Sequence, residues 1–535
     1  MSLFNTAQRN FAEKAIDLVV TNPFCPDWME KQREVLGARA SDPGEVYAWQ
    51  PGWGLWGPRT VYPDVVDLGR QIADLADAGN AALRQGAAAD AEELRLYHTL
   101  ALYRMYRTFG EELDRFIDSG AQAPGARQQL GNSEAGTDLR ATWTRFLAES
   151  DRLLALPGVR WPIALPPEHL FACYFTLRRA FYHIFFNLVG TSAAVARLRG
   201  AVWESIVTWN LHGWSQGQFA RMKDTPTLIT GPSGTGKELV AQAIGRSLYI
   251  PFDRKKQTFA VDFLTTFRPV NLSALSPQLI ESELFGHVKG AFTGAVGPRT
   301  GRLEECPEQG AVFLDEIGEL TGELQVKLLR VLQDRRFQPV GSGKDVAFEG
   351  KVIAATNRDL SCEIESRRFR EDLYYRLCAD RVVTPPLREQ LADRPEDLPL
   401  LVTFICHRVV GPERAEAFCS EVVAWIEGRL GRAYPWPGNF RELEQCVRSY
   451  AIRKEYHPLR RSDPTEAACA ALADEVVAGR RSYNEAEQRV FTLVYRQAGT
   501  WQEAGRLLGR DWRTVKRIVE GEAAGHDKTP KGRAR

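Results

Sequence analysis

Thr227-Leu-Ile-Thr-Gly-Pro-Ser-Gly-Thr-Gly-Lys-Glu238 is the stretch that decides the fold. A short apolar run, 227–230, leads into a glycine-rich turn and then into the helical segment 238–245, ELVAQAIG. Glycines in that context let backbone N–H groups close around phosphate oxygens, and the helix N-terminus adds its dipole. The expected phosphate cradle is Gly231, Pro232, Ser233, Gly234, Thr235, Gly236, Lys237 and Glu238, with Lys237 reaching the β- and γ-phosphates. The strict P-loop pattern asks for Ser or Thr after the lysine. Glu238 departs from it, so on this stretch alone a plain glycine-rich turn remains the alternative.

Working outward, Ala311-Val-Phe-Leu-Asp-Glu316 is an apolar strand ending in two adjacent carboxylates. Acids at the end of a buried strand are costly unless they bind something. Asp315 can hold Mg²⁺, directly or through water, and Glu316 can polarise an attacking water. A third run, Lys351 to Asn357, ends in an amide able to contact a γ-phosphate or orient water. Short β runs alternating with helical stretches imply a parallel sheet with helices on both faces, an α/β fold.

The 535 residues are too many for one core, and ~150 residues per domain suggests three or four domains. A composition 44% hydrophobic and 26% charged excludes a wholly disordered chain. With 69 Lys+Arg against 68 Asp+Glu, any nucleic-acid surface must be local. Nine cysteines without a CxxC pair argue against a disulfide framework or zinc site and suit a cytoplasmic protein. No membrane span is expected, because the most apolar stretch, 170–189, is broken by Arg178, Arg179, His183 and Asn187.

Residues 1–187 form the expected mainly helical N-terminal regulatory region, with helices over 94–117 and 170–188 and a mobile loop at 119–138. Within it, WQPGWGLW (49–56) is either a loop pinned by its tryptophans or a ligand pocket. An α/β part over 188–360 is followed by a helical lid over 361–456, a linker over 457–481, a small helical unit over 482–521 and a polar basic tail over 522–535.

Residues 190–450 resemble the central AAA+ domain of bacterial enhancer-binding proteins, the ATPases that activate sigma-54 RNA polymerase. The most specific match is ESELFGHVKGAFTGA (281–295), which holds GAFTGA intact as Gly290, Ala291, Phe292, Thr293, Gly294 and Ala295. Further matches are GRLEE (301–305), LQVKLLRVLQ (324–333), AATNRDL (354–360), FREDLYYRL (369–377), PPLRE (385–389) and YPWPGNFRELE (434–444). The family commonly carries Glu after the P-loop lysine, which accommodates Glu238. The resemblance implies ATP and Mg²⁺ as cofactors, with Lys237 on phosphate and Asp315 and Glu316 as metal and water-activating acids. It makes Asn271 the switch for the catalytic Glu316, Asn357 the first sensor and Arg441 the second, on the lid. Arg370 and Arg376 become paired arginines acting on a neighbouring subunit's ATP. That arrangement implies a ring, hexameric in the family. Surface salt bridging to Glu371 and Asp372 is the alternative for those arginines. The GAFTGA loop would contact the sigma factor through Phe292 and Thr293, and a Phe292 folded back onto the sheet is the alternative.

Ser482-Tyr-Asn-Glu485 and Thr500-Trp-Gln-Glu503 are capping boxes, and Asp511 can cap a third helix. Helix, glycine turn and basic helix read as helix-turn-helix, resembling the Fis-type DNA-binding domain of the same family. Residues 501–535 hold nine Lys/Arg against five Asp/Glu, an excess that suits phosphate contacts. Arg513, Thr514, Lys516 and Arg517 are the expected groove-facing residues, and a helical dimerisation hairpin is the alternative. The whole then reads as AAA+ P-loop sheet, helical lid and helix-turn-helix. Its implied function is a sigma-54-dependent activator that binds double-stranded upstream DNA and remodels the sigma-54 RNA polymerase holoenzyme from closed to open complex. A DNA-binding regulator or repressor with a vestigial ATPase core, and an AAA+ unfoldase, are the competing classes.

Overall fold

Five parallel strands form the central sheet: β1 Thr227–Thr230, β2 Phe267–Asn271, β3 Ala311–Asp315, β4 Lys351–Thr356 and β5 Asp380–Val383. Their spatial order is β2-β3-β4-β1-β5. The computed structural model describes residues 2–37, 63–121, 134–161, 165–459, 482–498 and 500–524. All six residues of β4 are buried, as are the first four of β3, as expected for parallel strands covered on both faces. Register places Thr230 beside Thr356 and Val383, and Asn271 beside Asp315. The carboxyl ends of the strands are thereby level, and in an open parallel sheet ligands bind at that edge.

The three strands expected from sequence are present, and two more complete the sheet. β2, FRPVN, carries Pro269, which removes a ladder donor; the strand lies at a sheet edge, where that loss is tolerated. β5 is the opposite edge and reads DRVV, half charged, with only Val382 fully buried. It lies inside the span 361–456 expected to be a helical lid. The α/β part therefore runs through Val383, and the purely helical part begins with helix Leu387–Asp393 and continues with Asp397–Val410, Pro412–Arg429 and Asn439–Arg453.

Two compact units result, Met1–Glu455 and Tyr456–Arg535. Helices cover the described residues before 188, but they share a core with the sheet region, so residue 187 is no packing boundary. Phe171 and Phe175, from helix Pro167–Asn187, pack with Phe252, Phe259 and Phe263, which follow the P-loop helix. The Phe175 and Phe259 rings stack at 3.9 Å. Phe252 and Phe259 belong to a two-stranded ribbon, Phe252–Asp253 with Thr258–Phe259, that inserts into the helical layer.

The single helix expected over 94–117 is two, Ala91–Thr108 and Gly110–Ala121, divided at Phe109, whose φ of −99° and ψ of 6° leave the helical well. The stretch 119–138 is helical at both ends, in Gly110–Ala121 and Glu134–Leu154; its centre, like 49–56, 460–481 and most of the tail, lies outside the described residues. Helix Pro167–Asn187 buries the charged groups that break its hydropathy. Arg178 pairs with Asp114, each side chain 2% exposed. Arg179 donates to the carbonyls of Arg246 (2.9 Å) and Leu248 (2.6 Å). Among the described residues, no helix is long and apolar enough to cross a membrane.

The second unit contains helices Tyr483–Ala498, Trp501–Leu508 and Trp512–Ala524 around Phe491, Ala504 and Val515. Ser482 and Glu485 form the expected reciprocal cap. Thr500 accepts from the Glu503 N–H, but the Glu503 carboxylate turns to Arg506, so the second box is half made.

Candidate nucleotide site, loop and helix-turn-helix

β1 delivers the chain into the turn 231–236, and helix Lys237–Gly245 leaves it. Gly234 is at φ 78°, and a Cβ there would meet the Gly438 carbonyl oxygen at 2.3 Å, so only glycine fits between turn and lid. The lid grips the turn through helix Asn439–Arg453. Asn439 Nδ2 donates to the Ser233 carbonyl at 2.9 Å, the Phe440 N–H to the Gly234 carbonyl at 3.0 Å, and Arg441 Nη1 to Ser233 Oγ at 3.2 Å. From the other side, Thr384 after β5 shares a 2.7 Å hydroxyl contact with Thr235.

Lys237 is 7% exposed, and its ammonium donates to the carbonyls of Gly231 and Pro232, both at 3.1 Å. Burial lowers its pKa, while Glu316 and Asp315 oppose that shift. Burial raises the Asp315 pKa, and Lys237 draws it back down. The cation and the acids thus lie within electrostatic reach of one another beside the glycine-rich turn. Glu316 sits at φ 58°, and its carboxylate accepts the Asn357 backbone N–H at 3.3 Å. Asn271, level with Asp315 on the adjacent strand, spends its amide oxygen on the Ser273 N–H (3.0 Å) and hydroxyl (2.8 Å). It makes no hydrogen bond to Glu316. Pro232 and Glu238 lie in the turn and first helical turn as expected, and the Glu238 side chain makes no hydrogen bond among the described residues.

The residues fit a nucleoside triphosphate with a divalent cation. The turn supplies N–H groups and one ammonium, position 238 offers no hydroxyl, and Asp315 is the hard oxygen ligand in place.

Arg370 is the N-cap of helix Glu371–Leu377, and Arg376 lies in its last turn. Arg370 pairs with Asp372 at 2.7 Å, the surface bridge weighed from sequence. Arg376 is exposed and makes no ion pair among the described residues. No hydrogen bond or ion pair there joins either arginine to the P-loop. Sequence reasoning missed Gln325, fully buried, which fixes this segment: Nε2 donates to Leu320 and Arg368 carbonyls, and Oε1 accepts the Arg370 N–H. Its only signal was a glutamine beside the apolar positions Leu324 and Leu328 of LQVKLLRVLQ. Asn439 and Thr384 were missed as well, although Asn439 lay within the quoted YPWPGNFRELE.

Gly290 to Ala295 form a tight loop closed by Gly290 N–H to Ala295 carbonyl (2.9 Å) and Ala295 N–H to Phe292 carbonyl (3.0 Å). Thr293 and Gly294 are exposed, Phe292 is half-buried, and Ala295 is buried. The Phe292 ring meets His287 edge-on at 5.0 Å.

In the second unit, Arg513 and Arg517 are exposed, Thr514 and Lys516 half-buried. Lys516 lies 3.6 Å from Glu520, and the Arg513 guanidinium covers the Trp512 ring at 5.4 Å.

A family model described as "Sigma-54 interaction domain" matches residues 211–382. The chain is similar to the Nif-specific regulatory protein of Klebsiella oxytoca, 34% identical over 409 residues that cover 74% of this chain and 70% of that protein. It is 39% identical to the Nif-specific regulatory protein of Azotobacter vinelandii over 55% of this chain and 53% of that one. It is 43% identical to the transcriptional regulatory protein GlrR of Escherichia coli over 46% of this chain and 52% of that one. Apart from the Klebsiella protein, then, the chain spans about half the length of these relatives. The matched segment contains the glycine-rich turn 231–236, Lys237, Asp315, Glu316, Asn357, Arg370, Arg376 and GAFTGA, set on a five-stranded parallel AAA+ sheet. Likeness to a relative across two thirds of its length, carried by this machinery, makes the chain a member of the bacterial enhancer-binding proteins, the sigma-54-dependent transcriptional activators.

Proposed function

We propose that this chain binds double-stranded DNA through residues 482–521, assembles into a ring, hydrolyses ATP and converts sigma-54 RNA polymerase holoenzyme from closed to open promoter complex in the bacterial cytoplasm. The observation that carries the reading is the meeting of Lys237, Asp315, Glu316 and Arg441 at the carboxyl edge of one sheet, in a chain that also bears the exposed tip of GAFTGA.

The reaction is attack of water on the γ-phosphate, giving ADP and phosphate. The turn N–H groups and Lys237 bind and orient the phosphates. Asp315 would hold Mg²⁺, which when bound would supply charge neutralisation at the phosphate oxygens. Glu316 takes the proton from water, and Asn357 and Asn271 set when its carboxylate is free to do so. Arg441 carries lid position to the phosphates. Among the described residues neither Arg370 nor Arg376 bonds to the P-loop of its own chain, which supports their acting on a neighbour's ATP in a closed, hexameric ring. Arg513, Thr514, Lys516 and Arg517 contact DNA, the arginines mainly its phosphates. Residues 1–187 control ring assembly, a role supported by their shared core with the sheet region.

A promoter-melting assay with purified chain, sigma-54 polymerase and a linear promoter tests this. Opening should need hydrolysable ATP, and Thr293→Ala should lose opening far more than hydrolysis. Opening without ATP, or ATP turnover that never opens the promoter, would refute it.

A further inference from the structure

One imidazole gathers three parts of the GAFTGA region. His287 follows helix Pro277–Phe285 and precedes the loop. Its backbone exchanges 2.9 Å hydrogen bonds in both directions with Arg299, closing a neck below residues 288–298. Its ring makes three further contacts. Nε2 lies 2.9 Å from the Gly297 carbonyl, on the returning arm of the loop. A carbonyl only accepts, so Nε2 carries a proton. Nδ1 lies 2.7 Å from the Ser282 hydroxyl, on the helix, and in a neutral ring accepts from it. The ring also meets Phe292 at 5.0 Å and 66°, the edge-to-face arrangement aromatic rings favour.

These contacts differ in purpose from ordinary packing. Ser282 is 2% exposed and belongs to the helix that begins six residues after Asn271, at the nucleotide edge of the sheet. Phe292 is the one aromatic residue of the loop, and no ring other than His287 lies against it among the described residues. The rest of the tip, Thr293, Gly294 and Val296, is exposed. The chain therefore runs from Asn271 through a rigid helix to Ser282, then through one imidazole to the tip aromatic and the returning arm.

We propose that His287 is the positioning residue of the loop: it latches Phe292 and makes the tip follow helix Pro277–Phe285. This rests on the reading of Phe292 as the sigma-factor contact. A hydrogen bond and an aromatic contact of ordinary strength together shift a latched–unlatched equilibrium by roughly tenfold to a hundredfold.

The test uses the full chain and two readouts. Lys289 is exposed within the loop, so its tryptic cleavage rate reports unlatching without polymerase. Promoter opening per ATP hydrolysed reports coupling. His287→Ala should raise cleavage at Lys289 about tenfold and lower opening per ATP by a similar factor. His287→Gln can keep the hydrogen bonds to Ser282 and Gly297 but has no ring, and should fall between. Cleavage at Lys289 that stays at the wild-type rate in His287→Ala overturns the latch, as does full coupling in that variant. Phe292→Ala separates the two ideas. If it opens promoters normally, the sigma-contact reading fails. If it abolishes opening while His287→Ala does not lower it, only the latch fails.

Discussion

Glu316 and Asn357 are joined: a carboxylate oxygen of the first accepts the backbone N–H of the second at 3.3 Å. The acid that would activate water is thus held at the tip of the neighbouring strand rather than by Asn271, whose oxygen is taken by Ser273. Glu316→Ala should reduce ATP turnover by ~10²–10⁴, the usual worth of a positioned base, while ATP binding persists. Steady-state turnover and fluorescent-nucleotide titration check it, and turnover within threefold of wild type would remove Glu316 from the base role.

Asn439 is a two-sided clasp. Its Oδ1 accepts the Leu387 N–H at 2.9 Å while Nδ2 reaches the Ser233 carbonyl. It also holds φ 54°, a conformation asparagine tolerates better than alanine. Asn439→Ala loses both bonds and adds backbone strain, together about 2–4 kcal/mol against lid docking. ATP affinity should fall by at least tenfold, with a lower melting temperature. Asn439→Gly relieves the strain only and should recover a small part.

Arg179 should matter more for stability than any exposed arginine. It is fully buried, its guanidinium lies 4.4 Å from the Phe175 ring, and burial lowers its pKa to about 9. Replacing a buried charge by a matched apolar group is often harmless. Arg179→Ala is not matched: it opens a large cavity and strips donors from the Arg246 and Leu248 carbonyls. A loss of about 3–5 kcal/mol follows, read by chemical denaturation of the Met1–Glu455 unit. The same unit tests whether the end of the P-loop helix loosens, through faster amide exchange at Arg246 to Leu248.

Much of this site was legible because chemistry is written in local words. The P-loop, the DE pair and GAFTGA are short and contiguous, so turn, strand end and loop could be named with their residues. What escaped is non-local. The edge strands β2 and β5 carry a proline and charged residues that look unlike strand until the sheet supplies a neighbour. Gln325, Thr384 and Asn439 matter for carbonyls, N–H groups and a hydroxyl as far as 206 residues away, which no spacing reveals. The ribbon holding Phe252 and Phe259 read as unremarkable chain, yet it joins the N-terminal helices to the sheet.

Acid should destabilise the first unit through His98. This ring is 5% exposed, stacked on Trp161 at 5.3 Å, and burial lowers its pKa from 6.5 to about 4. Between those values the unfolded chain binds a proton that the folded chain refuses, so stability falls as pH drops from 6.5 towards 4. The loss approaches about 3 kcal/mol. His183, fully buried and likewise depressed by burial, acts in the same direction. His98→Gln should flatten the dependence of unfolding free energy on pH between 6.5 and 4, and a slope equal to wild type would discard this account.

Gly505 reverses a familiar expectation. Within a helix, glycine to alanine normally stabilises by roughly 1 kcal/mol. Gly428, in helix Pro412–Arg429, has nothing within 4 Å of a built Cβ and should show that gain. At Gly505, in helix Trp501–Leu508, the same methyl would meet the Arg510 carbonyl oxygen at 2.8 Å and the Trp512 nitrogen at 3.1 Å. Both are backbone atoms of the turn, and the Arg510 N–H is itself bonded to the Gly505 carbonyl at 2.9 Å. Neither neighbour can swing aside, so relief requires the last two helices to part. Overpacking of this kind costs about 1–3 kcal/mol, which outweighs the propensity gain. Gly505→Ala should therefore lower the melting midpoint of the second unit and weaken DNA binding, because Arg513 and Arg517 ride on the displaced helix. The two substitutions are chemically identical, so opposite signs in their unfolding free energies would isolate the contact at the turn as the cause.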